Sequence, residues 1–536
     1  MRVKKNFNDF SITEKKDTFK KFAFFATIIL CAFALRFIHL GYSNYQGDEI
    51  KAMFFQGEKQ TSFEFLLNQK KGPGQFLVTR AIKVINPNYK NHFISRLPFA
   101  LASLLSVILF FLFVKNLFND WVAFFSAFFF TTNGIIIGLS RIVQYQSLVF
   151  FFSTLSLASL VFALKKSRFR IYGLYISLIS WSLALLSHYD GIFIAPMMLY
   201  LIYEWIKQST LESPQKNKHL LISSAISFSL LALFYIPYTF SISQSNWNYL
   251  ISRMQVDPSK ENPGSFITFN IYQPIYVFYL YIGLATLSFT LILLSFLKSR
   301  DNKIKAFIRV PELLSNKMLT TSYVLILWFL FPYVYMEGVV YIPGTHIYNY
   351  LFPLFIIMGI GLWLTISFIN SFISTNLGTV IKLIGISSIF FLLFTQSYSI
   401  FVDHHKEYPW ESKRYLFWII DIPSDIREKF DLKLFGFPHY RNWEGINRFL
   451  ANRSERSDYI SNEKEEISRF YLNLPKADND YVHMIYVRNP QTRFINFAPE
   501  FSKLLAEKDP IFTYRKNDRI YSAIYYIPKE FLTNIQ

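Results

Sequence analysis

The sequence predicts a polytopic α-helical membrane protein of about eleven spans, followed by a small α/β domain outside the membrane. Three observations carry this. Of 536 residues, 52% are hydrophobic and only 17% charged, and the mean hydropathy is +0.25. The apolar residues come in blocks long enough to cross a bilayer of ~30 Å. After residue 401 the pattern changes: charge rises and apolar runs shorten.

The spans are expected near 22–40, 95–114, 121–139, 146–164, 171–187, 191–206, 219–240, 272–297, 318–337, 347–368 and 379–401. With the N-terminus inside, the inner segments hold 22 Lys and Arg and the longer outer segments 11. That bias sets the orientation. The chain then divides into a basic cytoplasmic N-terminus (1–21), a membrane domain (22–401) with a first outer loop at 41–94, and an extracytoplasmic α/β domain (402–536). Ala32-Phe33-Ala34 has the small residues of a signal-peptide cleavage site, but the apolar run continues to Leu40, which favours an uncleaved anchor.

In the last domain, 458–460, 481–487 and 520–527 read as strands, and 443–452, 463–472 and 499–508 as helices. The net charge of +19 does not point to nucleic acid, because the basic residues sit mostly in short loops between spans. The lone Cys31 excludes an intrachain disulfide and reads as lipid-facing. Tyr and Phe, 34 and 60 residues, read mostly as interfacial belt and lipid-facing surface.

The unusual polar residues fall at span ends. Asp48 and Glu49 follow span 1, and Arg96 opens span 2. Arg141, Gln144 and Gln146 lie between spans 3 and 4. His188 and Asp190 lie between spans 5 and 6, and His346 and Tyr348 open span 10. All are outer in this topology. Polar groups at membrane depth are costly and usually face a cavity or partner, so their gathering on one side points to an outward-facing site. Each has a blander reading. Asp48-Glu49 suits the positive end of a short helix at 48–56. Arg96 suits an interfacial anchor, and Asp190-Gly191 a turn. Arg141 resists this treatment: it opposes the charge bias and has no acid in its own loop.

The order of these motifs resembles the GT-C membrane glycosyltransferases, in the branch holding the protein O-mannosyltransferases and the lipid A aminoarabinose transferases (glycosyltransferase family 39-like). The similar elements are Gly47-Asp48-Glu49-Ile50, Lys70-Lys71-Gly72-Pro73-Gly74, Arg96-Leu97-Pro98 and the segment Ser140 to Gln146. The resemblance covers roughly residues 22–370. It departs at two places. A second acid expected near the span 3–4 junction is replaced by Gln144 and Gln146, and a His-Pro-Pro element in the first loop by Lys71-Gly72-Pro73-Gly74.

The resemblance implies transfer of a sugar from a polyprenyl-phosphate donor, undecaprenyl phosphate in a bacterial source, to an acceptor on a protein, lipid A or a cell-envelope glycan. Asp48 is the expected base, with Glu49 as orienting partner or alternate base. Arg141, Lys70, Lys71 and Arg96 are expected to bind the donor phosphate. Gln144, Gln146, His188, Asp190, His346 and Tyr348 are candidate substrate contacts. No metal site is assigned and no cofactor is required, although a divalent cation held by Asp48 and His346 is compatible with the set. One base in one displacement implies inversion at the anomeric carbon. The alternatives are a lipid-linked glycan ligase or polymerase, a non-catalytic binder of polyprenyl phosphate, and a transporter or flippase. Transport favours polar residues at mid-membrane and internal repeats, which this sequence does not display.

Overall fold

The computed structural model describes residues 23–252, 264–300, 316–372, 376–415, 418–420, 434–453, 458–472, 480–491 and 507–529. The basic N-terminus and residues 499–506 of the expected helix at 499–508 lie outside them.

Helices occupy all eleven expected span positions. Among the described residues, eight are long and apolar enough to cross a membrane, or nine if one bent pair counts as a single span. Ala23–Phe37 and Ala195–Gln208 are shorter.

The bent pair occupies the span expected at 121–139. Asp120–Thr132 and Gly134–Ser140 meet at 62°. Asn133 causes the break. Its backbone is extended, and its side chain accepts from the N–H groups of Ile135 and Ile136, so it caps a new helix instead of continuing the old one. Gly134 permits the break to sit against its neighbour: a Cβ there would lie 2.1 Å from the Tyr272 carbonyl oxygen. The span expected at 272–297 is the helix Ile275–Arg300, preceded across Gln273-Pro274 by a short helix, Gly264–Tyr272.

The helix Gln146–Lys165 packs against Arg170–Ser187 and His92–Leu117, and Asp120–Thr132 packs against Tyr348–Phe372. Phenylalanines fill the centre. Phe110 and Phe352 both stand 4.9 Å from Phe130, ring centre to ring centre, and Phe150 is 5.4 Å from Phe352. Many of the Phe residues expected at the lipid surface are therefore core. Lipid-type exposure is concentrated instead on helices such as Ser213–Ser241, where Leu221, Phe228, Leu233 and Phe240 are exposed. Cys31 is half-buried against the helix core.

The C-terminal part contains a two-stranded ribbon, β1 (Lys413–Tyr415) and β2 (Trp418–Ile420), and a four-stranded sheet. The sheet comprises β3 (Asp458–Ser461), β4 (Tyr481–Val487), β5 (Phe512–Lys516) and β6 (Arg519–Pro528), in the order β3-β4-β6-β5. β3 and β4 are parallel, and the other pairs antiparallel. Helices Trp443–Ala451 and Glu465–Tyr471 match the sequence reading; β1, β2 and β5 were not expected.

This domain docks on the first loop. Asn44 N–H donates to the His439 carbonyl, Arg441 N–H to Asn44 Oδ1 and Tyr45 N–H to the Tyr471 hydroxyl. Lys51 pairs with Glu466 at 2.8 Å. Gly436, in a left-handed conformation, lies against Gly138 so closely that a Cβ would stand 2.3 Å from the Gly138 carbonyl oxygen. The motif Gly436-Phe437-Pro438-His439-Tyr440 thus serves as an anchor for the domain.

Candidate active site

The acidic pair divides by helix geometry. Asp48 and Glu49 are adjacent in the short helix Gly47–Lys51, so their side chains leave the axis about 100° apart. Glu49 points inward and is 1% exposed. Its Oε1 accepts from Arg96 Nε at 2.8 Å and Val143 N–H at 3.0 Å. Its Oε2 accepts from Arg96 Nη2 at 2.8 Å and Gln46 N–H at 2.9 Å. Both oxygens of Glu49 are thus engaged by buried donors.

Arg96 is equally committed. Besides Glu49, it donates to the carbonyls of Leu40, Ser43 and Asn44 at 2.9–3.1 Å. These contacts use all five guanidinium N–H groups, leaving none for a donor phosphate. Glu49 and Arg96 together clasp the first outer loop to the helix bundle.

Asp48 faces the other way and is partly exposed. Its backbone is held on both sides: its N–H donates to Gln46 Oε1 and its carbonyl accepts from Gln144 Nε2, both at 2.6 Å. Among the described residues, no hydrogen bond or ion pair engages its carboxylate.

Lys71 lies next along this surface. Its ammonium donates to Gln144 Oε1 at 3.1 Å and sits 4.7 Å above the Tyr145 ring. Gly72 and Gly74 permit this placement, since Cβ atoms there would stand 2.2 Å from the Leu186 carbonyl oxygen and 2.7 Å from Ser187 Oγ. Lys70 is exposed. Gln146, the first residue of its helix, is buried.

Tyr145 continues the line to the third group. Its ring stacks on His188 at 3.9 Å and 8°, and its hydroxyl is 3.4 Å from His346 Nε2. Asp190 Oδ2 accepts from His346 Nδ1 at 2.7 Å and from the Tyr348 hydroxyl. Asp190 Oδ1 stands 3.1 Å from His188 Nδ1. Burial raises the Asp190 carboxyl, but the two imidazoles outweigh it and hold the group well below the usual carboxylate range. Burial lowers His188 to about 4, with Asp190 opposing in part. His188, Asp190 and His346 form a three-residue cluster of metal-binding type. The sequence had suggested His346 with Asp48; the cluster contains His188 and Asp190 in place of Asp48.

Arg141 lies deeper. It donates to the carbonyls of Leu35 and Ile38, at the end of the first helix, at 2.9 and 3.0 Å. It lines a small cavity with Glu49, Arg96, His439 and Gln491. Arg36, fully buried, and Arg96 are close enough to repel it. Sequence reading passed over Arg36, Gln46 and Tyr145. Tyr145, lying between Gln144 and Gln146, was open to notice; Arg36 sits within the first apolar block.

The family described as dolichyl-phosphate-mannose-protein mannosyltransferase matches residues 70–235. That segment carries Lys71, Arg96, Arg141, Gln144, His188 and Asp190. Over that stretch the chain is similar to the dolichyl-phosphate-mannose-protein mannosyltransferases. Among solved structures, ArnT from Cupriavidus metallidurans aligns at 12% identity over 95% of this chain and 98% of its own, with a TM-score of 0.48. The oligosaccharyltransferase AglB from Archaeoglobus fulgidus aligns at 12% over 93% and 62%, with a TM-score of 0.46. The Pmt1-Pmt2 protein O-mannosyltransferase complex of S. cerevisiae aligns at 14% over 41% and 33%, with a TM-score of 0.32. No curated protein sequence matches the chain.

Proposed function

We propose that this protein is a glycosyltransferase that moves a sugar from a polyprenyl-phosphate donor to an acceptor hydroxyl or amine at the outer face of the membrane, with inversion. One observation carries the reading: of the two adjacent acids, Glu49 is locked to Arg96 while the Asp48 carboxylate has no partner among the described residues, with its backbone pinned by Gln46 and Gln144. A rigidly held, unpaired carboxylate beside a lysine suits a base working against an anionic donor.

In this mechanism the acceptor oxygen or nitrogen gives its proton to Asp48 and forms a bond to the anomeric carbon. The bond from that carbon to the phosphate oxygen breaks, and polyprenyl phosphate leaves with the electron pair. Lys71 supplies positive charge to the departing phosphate, and Lys70 assists from the exposed rim. Arg141 contributes from the cavity side, next to Arg36 and Arg96. The lipid tail rests against the apolar helices. The acceptor is a protein, lipid A or another envelope glycan.

The test is transfer by purified protein from synthetic polyprenyl-phosphate sugars, with product stereochemistry read by NMR. Asp48→Asn is expected to lower kcat by roughly 10²- to 10⁴-fold. Full activity in that variant removes the base assignment, and a retained anomeric configuration removes the single displacement. A reporter fused after Gln536 is expected to read extracytoplasmic; a cytoplasmic reading removes the outer-face assignment.

A further inference from the structure

The cluster at the Tyr145 end of the site contains an electrostatic oddity. Asp190 N–H donates to His188 Nδ1 at 3.2 Å, which makes that ring nitrogen an acceptor. The same nitrogen faces Asp190 Oδ1 at 3.1 Å. Asp190 Oδ1 is buried and has no hydrogen-bond partner among the described residues. A ring nitrogen that accepts from this N–H cannot also donate to Oδ1, so one of the two contacts goes without its proton. Buried acceptors are nearly always satisfied, and an orphan needs an explanation. His346 Nδ1 lies 2.7 Å from the other oxygen of the same carboxylate. One ligand atom from each of His188, Asp190 and His346 falls within 4.8 Å of the others.

We propose that His188, Asp190 and His346 bind a divalent transition-metal ion, with zinc as the best fit to two imidazoles and one carboxylate. Such a set leaves a further coordination position open, as in catalytic rather than structural zinc sites. Zn–N and Zn–O bonds of ~2.0–2.2 Å place tetrahedral ligands roughly 3.3–3.6 Å apart, so the 2.7 and 3.1 Å contacts of Asp190 with His346 and His188 must open to admit the ion. His188 gives the lone pair that now receives the long contact from Asp190 N–H. His346 moves its proton from Nδ1 to Nε2, where the Tyr145 hydroxyl stands ready to accept it. No net proton is lost in that change of tautomer. Tyr348, donating to Asp190 Oδ2, orients the carboxylate from outside the ligand set.

The carboxylate of Asp190 neutralises half of the ion's charge. The remainder adds to that of Lys71, whose ammonium lies over the Tyr145 ring that stacks on His188. The open position therefore suits an anionic oxygen such as a phosphate. The metal site stands on the cluster alone; only this use of it rests on the sugar-transfer reading.

The test uses full-length protein in nanodiscs, stripped with a chelator and titrated with Co²⁺, whose visible d–d absorption reports its geometry. The wild type is expected to take up about one Co²⁺ per chain with tetrahedral or five-coordinate bands, displaced by Zn²⁺. Asp190→Asn and His346→Gln are expected to abolish the bands, and Tyr348→Phe to weaken binding roughly ten-fold. Thermal unfolding of each variant checks that it is folded; His346, only 15% exposed but at the rim, is the milder change. Wild-type protein without cobalt bands overturns the proposal, as do undiminished bands in folded His346→Gln. Cobalt binding in a protein that transfers no sugar keeps the metal site and removes the proposed function.

Discussion

Arg96→Met is the sharpest test of how the first loop is held. The side chains are similar in length, but methionine offers no donor. Five hydrogen bonds are lost: two to Glu49 and one each to the carbonyls of Leu40, Ser43 and Asn44. Glu49, 1% exposed, would keep only the N–H groups of Gln46 and Val143. Breaking a buried pair from one side costs about 3–5 kcal/mol, because an uncompensated charge remains. The loss falls on the loop, since the helices behind it are held by apolar packing. Hydrogen exchange read by mass spectrometry reports this directly, because Gln46 and Val143 amides donate to the stranded carboxylate. Their exchange is expected to accelerate roughly 10²- to 10³-fold, with little change in Asp120–Thr132. Arg96→Lys is expected to fall between, because an ammonium cannot form the two-pronged contact. A paired Glu49→Gln change in the Arg96→Met background is expected to recover part of the protection by removing the buried charge. If exchange at Gln46 and Val143 is unchanged in Arg96→Met, the loop is held by other means and the clasp argument fails.

Three further predictions use other parts of the structure. Gly72→Ala places a methyl 2.2 Å from the Leu186 carbonyl and must shift the loop that carries Lys71; kcat/KM for transfer is expected to fall roughly ten- to hundred-fold with the helical circular dichroism unchanged, and an unaltered kcat/KM refutes the role of Lys71. Asn133→Ala removes the cap at the broken span and is expected to cost about 1–2 kcal/mol, seen as faster exchange of the Ile135 and Ile136 amides; equal exchange shows that the break does not depend on the cap. Burial pushes the Glu463 carboxyl up to about 7, partly offset by N–H groups of Lys464 and Gln491 and by Arg441. A raised carboxyl stabilises the fold while protonated, so this contribution is full below the ordinary carboxyl value and is lost as pH rises through about 7. The loss amounts to at most ~3 kcal/mol for the C-terminal domain. Glu463→Gln is expected to flatten the dependence of its thermal transition on pH, and the same slope in both proteins would exclude Glu463 as its source.

What the sequence by itself determined was the membrane architecture and the cast of polar residues. Hydropathy accumulates over a local window, so each span is legible without knowledge of its neighbours. The strands β3, β4 and β6 were legible for the same reason: their apolar character is local. Even β5 had a local signal that was missed, since Asn517 and Asp518 both take left-handed conformations in the two-residue turn between β5 and β6, and both are turn formers. The bend at Asn133 was less visible, because it depends on Gly134 meeting Tyr272, far along the chain. Only the tertiary structure decided what each polar residue does. Glu49 meets Arg96 across 47 positions, and His346 meets Asp190 across 156. Ion pairs of that separation leave no mark on local pattern. The acidic pair was found by its position after span 1, but which acid is buried and which is open follows from where Arg96 stands. The same holds for His346: the sequence offered it Asp48 as a partner, and the packing of two distant loops gave it Asp190 and His188.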